Sequence, residues 1–377
     1  MTSGGAAMDD RSFLGDFSAD FASARHKFRE ACAGAARLDA FPHPGKGPDG
    51  EELATDVAYF GRADAPYLVV SVSGTHGVEG WAGSACQIGW IRAGMALPDD
   101  VAMLHIHAIN PWGMAWDRRQ QEDNVDLNRH YVDFANPPAN PDYAELYEHV
   151  MCPEDDAISR SAADAALAAY REKHGRLTAG MTLQGGQYSF PDAPSYGGAA
   201  PVWSRKTIDE IFARYCGKAK RIAVIDIHTG YGPYGYGIPL WHMPGGPQLD
   251  KANILFGPTI EAPLAGDRAH EEFIQHGHFY GYCESQLPHA DVIAMCLEFG
   301  GEWLADGQRA RLERNDALLW RDADRLSGEA RAARRRWRDI HCPDRDDWRE
   351  MIWFRGRQVF REVAERIRLN DETPMPK

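Results

Sequence analysis

The chain has 377 residues, 44% of them hydrophobic and 25% charged, which is enough for a large core in one big α/β domain or two. Its formal net charge of −14 argues against a nucleic-acid partner, whose binders carry a basic face, and leaves room for a local basic pocket. Seven scattered cysteines without a CxxC pair fit free thiols in a reducing compartment, and no apolar run approaches the roughly 18 residues of a membrane span. The opening MTSGGAAMDD lacks the basic and apolar parts of a signal peptide, so a cytoplasmic protein with a frayed stretch at 1–10 is expected.

Phe13, Phe17, Phe21 and Phe28 recur at helical spacings and predict an amphipathic helix packed on the core. Strands are expected at about 56–60 and 67–73, then a helix from Trp81 to Ala93 and a strand ending at Ile109. Residues 110–140 are turn-rich. An insertion over 135–205 combines Ala-rich helices at 142–178 with a Gly/Pro/aromatic loop at 185–204, a length that usually carries function. Strands follow at 221–227 and 292–299, and 306–369 reads as charged and mostly helical. The basic run RAARRRWR (331–338) reads as a solvated helix face, with Glu329, Asp339, Asp344, Asp346 and Asp347 nearby. Strands alternating with helices predict an α/β fold with a mixed, mostly parallel central sheet, in a single domain over 1–377.

Three apolar strands each deliver polar groups where they stop. YLVVSVSGTH delivers His76, with Glu79 three residues on; RIAVIDIHTG delivers His228; VIAMCLEFGG delivers Glu298. Ligands of open α/β sheets bind beyond the carboxyl ends of the strands, so these groups can converge. Two imidazoles and a carboxylate fill three corners of a tetrahedral zinc site and leave the fourth for water, beside which a further carboxylate can act as base. Competing signals are poorer. AHEEFIQHGH (269–278) has Ile274 where HExxH needs its second histidine, no G-x-S-x-G elbow exists, and His105 and His107 read as core or surface.

These residues resemble the M14 zinc carboxypeptidase superfamily, including its aspartoacylase/succinylglutamate desuccinylase branch, and within it most of all the DUF2817 group. The likeness rests on four motifs in order: GTHGVEG, then NPWGMAWDRR with NVDLNR, then DIHTG, then CLEFG. It implies that His76, Glu79 and His228 hold one zinc ion and that Glu298 is general base and later proton donor. Asn128 and Arg129 would grip a substrate carboxylate, Asp126 would orient His76, and either Arg118 or Arg119 would polarise the scissile carbonyl. A mobile active-site tyrosine has no clear counterpart; Tyr280 and Tyr282 are candidates by position, with Tyr188 and Tyr196 as alternatives. The implied substrate is a small molecule or short peptide with an amide next to a free carboxylate, either a peptide C-terminus or an N-acyl amino acid, with no nucleic acid or membrane partner. A non-catalytic binding protein on the same fold and a serine-type amidase or esterase are the alternatives.

Overall fold

A computed structural model describes residues 11–94, 96–152, 157–257, 259–263, 276–304, 308–322 and 324–369. The expectation for 1–10, and the HExxH-like stretch as far as residue 275, fall outside them. The described residues form seven strands: β1 (Arg37–Lys46), β2 (Glu52–Phe60), β3 (Tyr67–Ser73), β4 (Val101–His107), β5 (Arg221–Tyr234), β6 (Gly237–Leu240) and β7 (Asp291–Gly300). They make one mixed sheet in the order β1-β2-β4-β3-β5-β7-β6. β4, β3, β5 and β7 run parallel; β1, β2 and β6 join antiparallel at the two sides.

The two edge strands went unread in the sequence, and both contain proline: RLDAFPHPGK and GIPL. Proline cannot donate to a ladder, so it weakens a strand signal while being tolerated at an edge. The parallel strands are apolar almost throughout because helices cover both faces of the sheet. One face carries α1 (Phe21–Ala31), α2 (Gly80–Arg92), α8 (Pro247–Phe256) and α12 (Asp346–Arg366); the other carries α7 (Trp203–Tyr215) and α9 (Phe279–Gln286). The first helix begins later than the phenylalanine spacing suggests. Asp20 caps it, with Ser23 completing a capping box, and Phe13 and Phe17 are buried from a preceding 3-10 turn and its exit.

The remaining helices are α3 (Pro111–Ala115), α4 (Pro141–Val150), α5 (Ala157–His174), α6 (Arg176–Gln184), α10 (Gln308–Asp322) and α11 (Gly328–His341). His105 and His107 are core residues, bonded to Ser71 and Ser84, and burial pushes them down to about 3 and about 4. All seven cysteines are free and buried. Among the described residues no helix is long and apolar enough to cross a membrane.

From β3 the chain moves outward to β4, and β5 then returns to the other side of β3. The order therefore reverses between β3 and β5, the kind of place where open α/β sheets form a crevice.

Candidate metal centre

Both sides of that reversal supply polar groups. β3 stops at Ser73, and Gly74 turns the chain with φ +73°, a left-handed conformation that glycine adopts without strain. His76 follows in extended conformation, and a single 3-10 turn over Gly77–Glu79 brings Glu79 back beside it. The turn is stapled from outside: Gly77 N donates to Arg119 O (3.1 Å) and Val78 N to Arg118 O (2.8 Å). Gly77 has no room for a side chain, since a Cβ there would lie 2.1 Å from Gly113 C.

From the next strand His228 pairs in register with Glu298, so both stand on one face where the regular parallel pairing of β5 with β7 runs out. His76, Glu79 and His228 are all buried, and one ligand atom from each lies within 4.8 Å of the others. His76 Nδ1 is 3.1 Å from Glu79 Oε1, His228 Nδ1 is 2.8 Å from Glu79 Oε2, and the two Nδ1 atoms are 3.2 Å apart.

The far nitrogens explain the near ones. His76 Nε2 meets Asp126 Oδ1 at 3.0 Å and His228 Nε2 meets Asp226 Oδ2 at 2.7 Å. A carboxylate on Nε2 keeps the proton there and leaves Nδ1 as a lone pair. Two ring nitrogens and a carboxylate then face one another at 2.8 to 3.2 Å, which requires a positive charge among them, a proton or a metal ion. The local charges agree. Burial alone would raise Glu79 and Asp126, yet the imidazoles around Glu79, and Arg119 with His76 beside Asp126, hold both carboxyls well below their ordinary value. Asp226 and Glu79 outweigh burial and raise His228 well above the usual imidazole range, so a metal on Nδ1 would displace a proton shared with Glu79. This donor set fits a divalent metal with nitrogen and oxygen ligands.

Asp226 was not singled out in the sequence. It lies fully buried on β5, two residues before His228 and on the same face, and it also accepts from Thr75 Oγ1 at 2.8 Å. The available signal was a carboxylate inside an apolar strand, which needs partners to be buried. His341, the last residue of α11, was missed as well. Its Nδ1 is 3.0 Å from Thr229 O and 4.0 Å from Glu79 Oε1.

The adjacent arginines part company. Arg119 donates to Glu79 Oε1 (3.0 Å) and Asp126 Oδ2 (3.2 Å), which leaves its Nη2 without a partner among the described residues. Arg118 turns away into a buried ion pair with Asp316 of α10 (2.7 Å) and bonds Asn124, so it is not brought to the site. Arg129 is buried and donates to two carbonyls, Gln184 O at 2.6 Å and Asn128 O at 2.7 Å; among the described residues it pairs with no carboxylate. Burial, together with Arg119, lowers its pKa. Asn128 lies against His228, with Nδ2 3.4 Å from Nε2. Residues 135–205, expected as an insertion, support this corner, because Gln184 ends α6 and Tyr188 donates to Arg129 O at 2.7 Å.

Glu298 Oε1 accepts from Tyr231 N at 3.0 Å, and Oε2 lies 3.4 Å from Cys296 Sγ. Burial and then the Glu79 charge push its carboxyl up. Tyr280 is buried and stacked with His242 and His278, close enough to Arg129 to act on its charge. Tyr282 turns from the site to Asp209 and Arg205. Tyr196 is buried and supplies a carbonyl to Asp126 N.

Among solved structures the fold is similar to carboxypeptidase A from Helicoverpa armigera, with 12% identity and TM-score 0.46 over 84% of this chain and 73% of that one. A metallo-carboxypeptidase from Burkholderia cenocepacia gives 13% identity and 0.36 over 89% and 69%. An aspartoacylase family protein from Mesorhizobium loti gives 14% and 0.34 over 75% and 66%. No curated protein sequence matches. The family described as "Protein of unknown function (DUF2817)" matches residues 17–355, and the chain belongs to it.

Proposed function

We propose that this protein is a zinc-dependent hydrolase that cleaves an amide bond next to a free carboxylate. The observation that carries the reading is the convergence of His76 Nδ1, His228 Nδ1 and the Glu79 carboxylate within 3.2 Å of one another, with Glu298 alongside. A bound zinc ion lowers the pKa of a coordinated water to about 7 and polarises a carbonyl.

The chain's own groups do the rest. Glu298 sits where its proton affinity is raised, so its carboxylate can take a proton from water and return it to the leaving amine. Tyr231 N fixes one of its oxygens, and the other meets the weak Cys296 thiol donor, which a water can displace. Arg119 anchors Glu79 and Asp126 through two nitrogens, and its unpartnered Nη2 is the donor available to a carbonyl oxygen that gains charge. Asp126 and Asp226 hold the proton on each histidine's far nitrogen.

Arg129 defines the substrate. A buried guanidinium without a counter-ion is costly, and a planar fork matches a carboxylate. Its place beside Asn128, near His228, fits a carboxylate close to the cleaved bond, as in a peptide C-terminus or an N-acyl amino acid.

The test is four values of kcat/KM: wild type and Arg129→Ala, each on a free acid and on its methyl ester, after a metal assay. The wild type should prefer the acid by about 10- to 150-fold, the equivalent of about 1.5–3 kcal/mol for a charge-assisted contact. The variant should lose that preference and little on the ester. Equal losses on acid and ester would make Arg129 structural and remove the carboxylate requirement.

A further inference from the structure

The basic run of α11 keeps Arg331, Arg335 and Arg336 exposed, as its sequence suggests, but three of the acids named beside it are paired elsewhere. Of the acids expected to neutralise it, Asp344 pairs with Arg349, Asp346 with Arg11 and Asp347 with Arg345. Within the run, Arg331 reaches Asp49, Arg334 donates to Arg325 O, and Arg338 donates to Ser18 O and Ala19 O. Among the described residues Arg335 and Arg336 have no ion pair and no hydrogen bond.

Arg336 lines a cavity of about 240 Å³ between α10 and α11, together with Arg311, Asn315, Asp316, Arg334 and Trp337. Asp316 adds little negative potential there, because both of its oxygens are taken by Arg118, at 2.7 to 3.0 Å. Arg311 spends one nitrogen on Asp164 and keeps the others. Trp337 is only 3% exposed, and among the described residues its Nε1 has no hydrogen-bond partner. Guanidinium forks match oxyanions, and the cavity is smaller than the roughly 300 Å³ at which drug-sized sites begin.

We propose that this cleft binds a small oxyanion carrying two negative charges, a phosphate or a short dicarboxylate. The assignment is independent of the hydrolase reading. The site also touches the metal centre by two routes. Asp316 holds Arg118, whose neighbour Arg119 holds Glu79. Trp337 packs edge-on against His341, with ring centroids 4.5 Å apart, and His341 Nδ1 stands 4.0 Å from Glu79 Oε1.

The experiment is calorimetric titration of the full chain with inorganic phosphate and, separately, with succinate, ionic strength being held constant with potassium chloride. Arg129→Ala serves as background, so that an anion at the other arginine is not counted. Saturable binding is expected and should weaken about tenfold or more in Arg336→Ser, whose exposed side chain can be removed without unfolding. Binding should also shift tryptophan emission, and Trp337→Phe should abolish that shift. Phosphate alone, succinate alone or both binding would each support the cleft and identify its ligand. No saturable binding of either, or equal affinity in Arg336→Ser, would overturn it; so would binding lost in Arg129→Ala but kept when only Arg336 is changed.

Discussion

Replacing Asp226 by asparagine changes one charge and almost no volume. In the native site Oδ2 accepts from His228 Nε2 at 2.7 Å and Oδ1 accepts from Thr75 Oγ1 at 2.8 Å. An asparagine can keep both contacts: its amide oxygen accepts from the imidazole, and its NH2 donates to a reoriented Thr75 hydroxyl. What disappears is the charge assistance, the difference between about 1.5–3 kcal/mol for a charged hydrogen bond and about 0.5–1.5 for a neutral one. That gap of roughly 1–1.5 kcal/mol corresponds to about a tenfold loss of zinc affinity, at the lower end of the 10- to 100-fold typical of residues behind metal ligands. Asp226→Leu should lose more, because it also strands the His228 N–H in a buried place, at a further cost of about 1–3 kcal/mol. Competition against a chromophoric zinc chelator measures both variants, and a thermal melt shows whether each is folded. Zinc affinity within about twofold of wild type in folded Asp226→Asn would refute the reasoning. Asp226 would then be a satisfied polar residue with no hold on the metal.

Glu298→Gln should keep full zinc and still accept from Tyr231 N, yet lose about 10²–10⁴ in kcat, measured on whichever acid substrate is turned over; near-normal kcat would pass the base role to another group. Arg118→Met should destabilise the fold by about 3–5 kcal/mol, read in denaturant melts, because Asp316 would be left charged and buried. Asp117 is raised to about 6, chiefly by burial, so its native pKa lies above the unfolded one. The stability it contributes is complete below the unfolded value and is lost as pH rises through about 6. Asp117→Asn, which suits the positive φ and can still accept from Trp81 Nε1, should therefore melt like wild type at acid pH and higher at alkaline pH, by up to about 3 kcal/mol. An identical difference at both pH values would contradict this.

The parts legible in the sequence share one property: they are local. The apolar runs of β3, β5 and β7 announce buried strands, and each ends on a residue that no packed surface would choose, which is how His76, His228 and Glu298 stood out. The parts that stayed hidden depend on partners far along the chain. DRR reads the same whichever arginine faces the metal; what separates them is Asp316, 198 residues on, which claims Arg118. His341 has no motif around it and gains meaning only from where α11 ends. Asp226 was visible as a letter but not as a partner, since the i, i+2 relation matters only once the residue is known to be on a strand.

The same long reach says something about order of assembly. His76, Glu79, Asp126, Asp226, His228 and Glu298 all lie within the first 298 positions, so a growing chain holds all six candidate site residues before α10 exists. Until Asp316 arrives, the Arg118 charge has no counter-ion, and the loop that staples the HxxE turn through the Arg118 and Arg119 carbonyls lacks its anchor. Domains fold as units, and contacts distant in sequence are the slow ones to form. A chain cut after β7 would carry all six candidate residues and yet hold them loosely. The helices that follow β7 thus close the candidate site, which is held firmly only once α10 has joined it.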